Sequence, residues 1–178
     1  MRLKKESHWP FSCLALLPMP DENAEDHHFE LTLVEPASEI DWERYFDFRW
    51  RVLRRPWRQP KGSEKDDREA GSVHLMLCDA SRMPLAVGRL HLNTPHEAQV
   101  RFMAVDPTAT RQGLGTTVLA ALESRAAEMG AQSIVLNARE QAIPFYRKHG
   151  YVVTGDAETM FGSVLHVRMA KVLMAART

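Results

Sequence analysis

Ten residues, Thr110 to Leu119 (TRQGLGTTVL), set two glycines and an arginine between an alternating apolar run and an amphipathic one. Ahead of them VRFMAV (Val100 to Val105) has the period of a strand and closes on Asp106-Pro107. Behind them Val118, Leu119, Leu122, Ala126 and Met129 recur at helical spacing until Gly130 stops the run. A strand, a glycine loop and a helix start in that order make an anion site. The first N–H groups of a helix have no internal partner, and the macrodipole favours negative charge there. Glycine lets the backbone approach a phosphate and take positive φ without strain, and Arg111 can add a charge-assisted contact. A Walker loop needs Gly-Lys-Ser/Thr, but Gly115 is followed by Thr116-Thr117. A dinucleotide fingerprint needs a third glycine where Val118 stands. Two glycines alone also fit a connection that merely turns.

A chain of 178 residues is one domain with room for an appendage. Its 23 basic and 23 acidic side chains leave no overall field toward nucleic acid or membrane, and neither is expected as a partner. Two cysteines, Cys13 and Cys78, make no disulfide framework, and no Cys/His spacing fits zinc, so no metal is expected. A reduced, cytoplasmic compartment fits. Cys78 sits in an apolar run and reads as a small core residue. Lys4 and Lys5 before FSCLALL imitate a short signal peptide, but Pro18 and Pro20 interrupt it and no small-x-small cleavage site follows. Residues 1–28, ending in PDENAEDHH, read as a poorly ordered extension with His27 and His28 solvated. No stretch is long enough to span a bilayer.

From Phe29 the chain becomes regular, and a single domain is expected over 29–174 with a tail at 175–178. FELTLVE alternates as a strand. Ser38 with Asp41 makes a capping-box-like start to a helix, EIDWERYFDFRWRVL, carrying Ile40, Phe46, Trp50 and Leu53. The charged, Pro/Gly-punctuated stretch from Arg55 to Gly71 reads as a long loop with one short helical turn, its charges solvated, forming a lid or rim over a pocket. VHLMLCD and LAVGRLHL, separated by ASRMP, read as an antiparallel pair. SIVLNA is a further strand, EQAIPFYRKHG a short helix with Pro144 in its first turn and Gly150 at its end, and YVVTG and VLHVRMAKV the closing strands. Antiparallel pairs early and a βαβ unit later give an α/β or α+β sheet.

The stretch FMAVDPTATRQGLGTTVLAALESRAAEMGAQSIVLNAREQAIPFYRKHGY resembles the core of the GNAT superfamily of acyl-CoA-dependent N-acetyltransferases. Two linked signals carry the resemblance: the strand with its Gly-x-Gly loop, and AIPFYRKHGY, similar to the family's Ala-x-x-aromatic-Tyr-x-x-x-Gly-aromatic segment. It implies a mixed, mostly antiparallel sheet flanked by helices, and direct acetyl transfer from acetyl-CoA to a primary amine of a small molecule or peptide. Arg111, Gln112, Gly113, Leu114, Gly115 and Thr116 would then cradle the pyrophosphate. Met103, Ala104 and Val105 would end a strand that splays from its neighbour and offers ladder groups to the pantetheine amides. Tyr146 would be the general acid toward the departing sulfur, with Phe145 beside it packing on the core. A phenol at ~10 is a competent donor to a thiolate whose conjugate acid is near ~8.5. A homodimer is compatible with this class. The alternative is a CoA-binding regulatory or interaction module that keeps the fold without turnover.

The sequence departs from the family pattern in three places. Thr110 stands where the loop usually opens with Gln or Arg, and Arg111 comes one later. Arg139 replaces an asparagine that helps hold the pantetheine arm, and arginine could instead reach a phosphate or a substrate carboxylate. The strand ending at Val105 offers only Gln99 and Arg101 where many members carry a base. Candidates for that base are His74, His91, His166, Glu64, Asp66, Asp67 or a water relay; His74 and His166 alternate with apolar residues and also read as core histidines. Trp42, Trp50 and Trp57 read as packing. Arg49, Arg51, Arg54 and Arg55 make a basic helix end that complements the dipole and could attract an acidic substrate or the CoA phosphates. A chain starting near Phe29 is expected to keep its thermal midpoint and acetyl-CoA affinity, and a midpoint several degrees lower would show that the extension docks.

Overall fold

Ser38 starts the first helix as its sequence dictates. Its hydroxyl accepts the Asp41 N–H at 3.1 Å, and the Asp41 carboxylate accepts the Ser38 N–H at 3.2 Å, closing a reciprocal cap. The computed structural model describes residues 31–173; the extension 1–28, with Cys13 and His27-His28, and the tail 175–178 lie outside the described residues. Helix α1 runs Glu39–Leu53 after strand β1 (Thr32–Val34). Its buried face is not the expected one: Asp41, Tyr45, Phe48 and Arg49 turn inward, while Ile40 is 59% exposed. The expectation counted apolar residues only. Here two polar side chains face inward because each finds a charged partner, Asp41 with Arg82 at 2.7 Å and Arg49 with Glu69 at 2.9 Å.

Strands β2 (Val73–Cys78), β3 (Pro84–Thr94), β4 (Glu97–Val105), β5 (Ser133–Arg139), β6 (Val152–Met160) and β7 (Val164–Val172) complete a seven-stranded sheet in the order β1-β2-β3-β4-β5-β7-β6. Among the described residues only β4 and β5 pair in parallel. Helix α2 (Leu114–Glu128) links them, as a parallel crossover requires. Its Leu114, Val118, Leu119, Leu122 and Ala126 join Leu75, Leu77, Leu90, Ile134 and Leu136 in the larger core. On the other face α1 lays Tyr45 and Phe48 over Met76, Cys78, Val87 and Ala104. The free Cys78 is buried there, a core residue as its surroundings in the sequence imply. Strand β6 continues five residues beyond the expected YVVTG, because Gly155-Asp156 is paired strand rather than a turn.

Two irregularities shape β4. Arg101 pairs with Arg89 and Ala104 with Val87, so Phe102 and Met103 both stand against Gly88 in a bulge, with Phe102 at φ 51. The β4–β5 ladder runs only from Glu97↔Ser133 to Val100↔Leu136. Beyond it the two strands separate, while β5 stays paired to β7 as far as Arg139↔His166.

The stretch between α1 and β2 carries two short 3-10 turns, Arg55–Trp57 and Glu69–Gly71, where one was expected. Its charges are not simply solvated. Arg49 and Arg89 are both 0% exposed, and their counter-ions come from this loop. Glu69 takes both terminal nitrogens of Arg49 at 2.9 and 3.0 Å and one of Arg89 at 2.7 Å. Asp66 grips Arg89 with both oxygens. Glu64 contributes its backbone carbonyl to Arg49, and Ser63 its carbonyl to Arg54 at 2.8 Å. The loop is thereby fastened to α1 and β3 by ion pairs whose guanidiniums are buried.

Removing one partner of a buried pair leaves the other charge uncompensated, at a cost of about 3–5 kcal/mol. Glu69→Ala should lower stability by that amount in chemical denaturation, whereas Lys61→Ala, at an exposed pair with Asp47, should cost under ~1 kcal/mol. Burial pushes the Asp66 carboxyl up, but the Arg89 hydrogen bonds, the Arg68 N–H and the charges of Arg89 and Arg101 outweigh it and hold it at about 2. Its folded pKa is below the ordinary 3.8, so this stabilisation is full above about pH 4 and is lost as pH falls toward about 2. Denaturation against pH should show that acid limb, and Asp66→Asn should flatten it.

Candidate active site

The glycine loop folds as a cradle at the start of α2. Asp106 accepts the Thr108 N–H at 2.9 Å, a 3-10 turn follows at Pro107–Ala109, and Arg111 and Gly113 take left-handed φ of 65 and 81. No side chain caps α2, and the first helical bond runs from Thr117 N–H to Gly113 C=O at 3.0 Å. The N–H groups of Leu114, Gly115 and Thr116 precede it and so have no partner within the helix. Arg111, Gln112, Gly113 and Thr116 are exposed, whereas the Leu114 side chain is buried, leaving only its backbone available. The two glycines serve different ends. Gly113 supplies the left-handed conformation; at Gly115 a Cβ would lie 3.3 Å from Val105 and 3.4 Å from Phe145, so its bareness lets α2 approach β4 and the next helix.

That helix, α3 (Ile143–Lys148), brings Tyr146 to the gap between β4 and β5. Its hydroxyl donates to the Met103 sulfur at 3.6 Å, a weak acceptor that leaves the proton available. Burial alone pushes the Tyr146 hydroxyl up to about 12, so it remains protonated throughout the physiological range. Phe145 was expected to be the packing member of the pair. In fact Tyr146 is the more buried at 8%, and Phe145 lies half-buried between Gly115, Tyr146 and His149. Consecutive side chains on an α-helix lie only about 100° apart, so both aromatics of α3 pack.

Across the gap, on the face of the sheet that carries α1, a cavity of about 160 Å³ reaches Met103 from the other side. Arg54, Arg101, Arg139, Glu158 and His166 give it its charge and titratable groups. Of the candidate bases, His166 alone lines this cavity. Its Nδ1 lies 2.9 Å from the Val164 carbonyl, which assigns the proton to Nδ1 and leaves Nε2 as the basic nitrogen. Burial, then Arg139 and Arg54, lower its pKa and keep the ring neutral. The others stand elsewhere. His74 is a core histidine, with Nε2 2.8 Å from the Glu69 carbonyl and Nδ1 3.3 Å from the Tyr45 hydroxyl. His91 is buried in β3, Glu64 closes a turn by accepting the Gly62 N–H at 2.7 Å, Asp66 is committed to Arg89, and Asp67 is exposed away from the cavity. Glu158 was missed because the strand YVVTG was expected to end at Gly155; the alternation of Glu158 with Met160 along β6 was the available signal.

Residues 60–173 match the family model described as the Acetyltransferase (GNAT) domain. The Uncharacterized N-acetyltransferase YjcF of Bacillus subtilis (strain 168) is 33% identical over 112 residues, 63% of this chain and 79% of that protein. An aminoglycoside 6'-N-acetyltransferase crystallised with coenzyme A superimposes with a TM-score of 0.69 at 14% identity, over 83% of this chain and 99% of the other. A GNAT family acetyltransferase from Elizabethkingia anophelis with acetyl-CoA bound gives 0.64 at 14% identity, over 80% and 98%. The mixed sheet, its early end to β4–β5 pairing and the matched sequence have one reading: the chain belongs to the GNAT acetyltransferase family and is an acyltransferase.

Proposed function

We propose that the protein moves the acetyl group of acetyl-CoA directly onto a primary amine bound in the cavity beside α1. The observation that carries this reading is the end of the β4–β5 ladder at Val100↔Leu136. It opens a slot through the sheet, with the free N–H groups of α2 and the Tyr146 hydroxyl on one side and the cavity on the other. The loop 111–116 and the helix start would take the pyrophosphate through backbone N–H groups. The edges that β4, from Met103 to Val105, and β5, at Arg139, turn toward each other past the end of their ladder would take an extended amide chain as a strand takes its neighbour. An N–H in that gap would also meet the oxygen that gains charge on attack.

The chain's own residues then divide the proton work. The attacking amine forms the new C–N bond and gives up a proton, for which the free Nε2 of His166 is the acceptor. The C–S bond breaks, and the sulfur takes a proton or a strong hydrogen bond from Tyr146. A hydroxyl at about 12 facing an ordinary thiol near ~8.5 would make full transfer uphill by roughly 5 kcal/mol. Apolar surroundings that push the phenol up push a thiolate leaving beside it up as well, which narrows that mismatch.

Thiol release from acetyl-CoA across a panel of primary amines tests the reading, and tight acetyl-CoA binding without release would favour a non-catalytic binder. Tyr146→Phe should lower turnover by ~10²–10⁴-fold where chemistry limits the rate, with acetyl-CoA affinity little changed. Wild-type turnover in that variant would refute the role. His166→Gln should remove the acid limb of the kcat/KM profile, which in the wild type lies below the ordinary histidine pKa because burial lowers this one. Gly113→Val should weaken acetyl-CoA binding, since it forces a β-branched residue into left-handed φ in the cradle.

A further inference from the structure

Two guanidiniums in the cavity have no carboxylate partner. Arg54 is buried, yet it donates only to backbone carbonyls, Ser63 at 2.8 Å and Leu53 at 3.2 Å. Arg139, half-buried, donates to the same Leu53 carbonyl at 3.3 Å. Among the described residues no carboxylate comes within 4.0 Å of either. The Leu53 carbonyl lies at the end of α1, where the whole macrodipole amounts to only about half a negative charge. Arg101 adds a third cation on the cavity wall, and its partner Asp66, at 3.3 Å, already gives both oxygens to Arg89. Three guanidiniums therefore face one carboxylate, Glu158, in this cavity. The charge is felt: burial, then Arg49, Arg139 and Arg101, lower Arg54 to about 10.

Like charges gathered in a half-buried cavity are costly unless an anion completes them. We infer that the cavity holds an anionic group, a carboxylate or phosphate, carried by the acceptor amine and bound by Arg54, Arg139 and Arg101. The inference rests on the acetyl-transfer reading for its acceptor but not for its binding chemistry. Planar guanidiniums suit both oxyanions by bidentate donation. A cationic acceptor such as a polyamine is disfavoured by the same charges. The arrangement also suits the chemistry, because the guanidiniums lower the pKa of an ammonium bound beside them and favour the neutral nucleophile.

Calorimetric titration of the CoA-saturated full chain with succinate, with inorganic phosphate and with the neutral succinamide tests the site without turnover. Succinate or phosphate should bind one per chain, at least tenfold more tightly than succinamide, and whichever binds better identifies the oxyanion. Arg101→Gln, at the more exposed of the three, should weaken that binding at least tenfold with CoA affinity unchanged within twofold, and Arg139→Gln should weaken anion binding to the CoA-saturated chain as much. Equal binding of succinamide, no saturable binding of either anion, or anions that only displace CoA would overturn the inference. In turnover, β-alanine or 2-aminoethyl phosphate should exceed β-alaninamide and 1,3-diaminopropane at least tenfold in kcat/KM. Acetylation of amines without anion binding sinks the anion site alone. Anion binding with no amine acetylated upholds the site and sinks the transfer reading.

Discussion

Arg49 and Arg89, both without solvent exposure, hold this molecule's working half together. Arg49 comes from α1 and Arg89 from β3, yet Glu69 touches both, and Asp66 adds a second grip on Arg89. One half-buried carboxylate thus couples a helix, a strand and the long connection between α1 and β2. Burying two guanidiniums is expensive, and only their pairing makes it tolerable. The arrangement is therefore specific rather than merely stabilising. A shifted α1 or a displaced loop would leave a guanidinium dry and unpaired, so the register of α1 over the sheet and the path of residues 63–69 are fixed together.

Phe102 sits at the centre of the same cluster. Its ring lies 3.7 Å from the Arg49 guanidinium carbon and 4.8 Å from that of Arg89, with Arg101 and Arg54 slightly farther. This stacking gives a physical reason for its left-handed φ of 51, costly for an aromatic residue. The bulge it belongs to begins two residues after the β4–β5 ladder ends. The ion-pair cluster thereby reaches the slot: it holds the bulge, the bulge re-aims Met103 and Ala104, and Met103 receives the Tyr146 hydroxyl.

What the sequence disclosed followed from local rules. Helix α2, its glycine start, the Ser38–Asp41 cap and the alternating strands are decided within a few residues, and they were readable. The inward turn of Arg49 was not, because its partners lie 15 and 20 residues away in a stretch that looks like solvated loop. The stretch expected to form a lid or rim also carries Asp66 and Glu69, which clamp it to β3 and α1. The slot was anticipated only through family resemblance, since no feature of VRFMAV states where its pairing with SIVLNA stops. His166 and His74 both alternate with apolar neighbours, and only the fold sends one to the cavity and the other to the core.

The two faces of the sheet offer opposite media to the two halves of an acyl transfer. Around Tyr146 the surroundings are apolar, and burial alone sets its proton affinity. On the proposed reading a thiolate leaving there would have little to solvate it except that hydroxyl, so a single hydrogen bond would count heavily. On the α1 side the charge is concentrated and mostly positive, a medium that disfavours ammonium and leaves a neutral histidine nitrogen free. The same substrate could not be well served by either medium alone. An amine needs to lose its proton before attack, and a thiolate needs to be met by one as it departs. On the proposed reading, the parting of β4 from β5 after four paired residues would let one reaction span both environments.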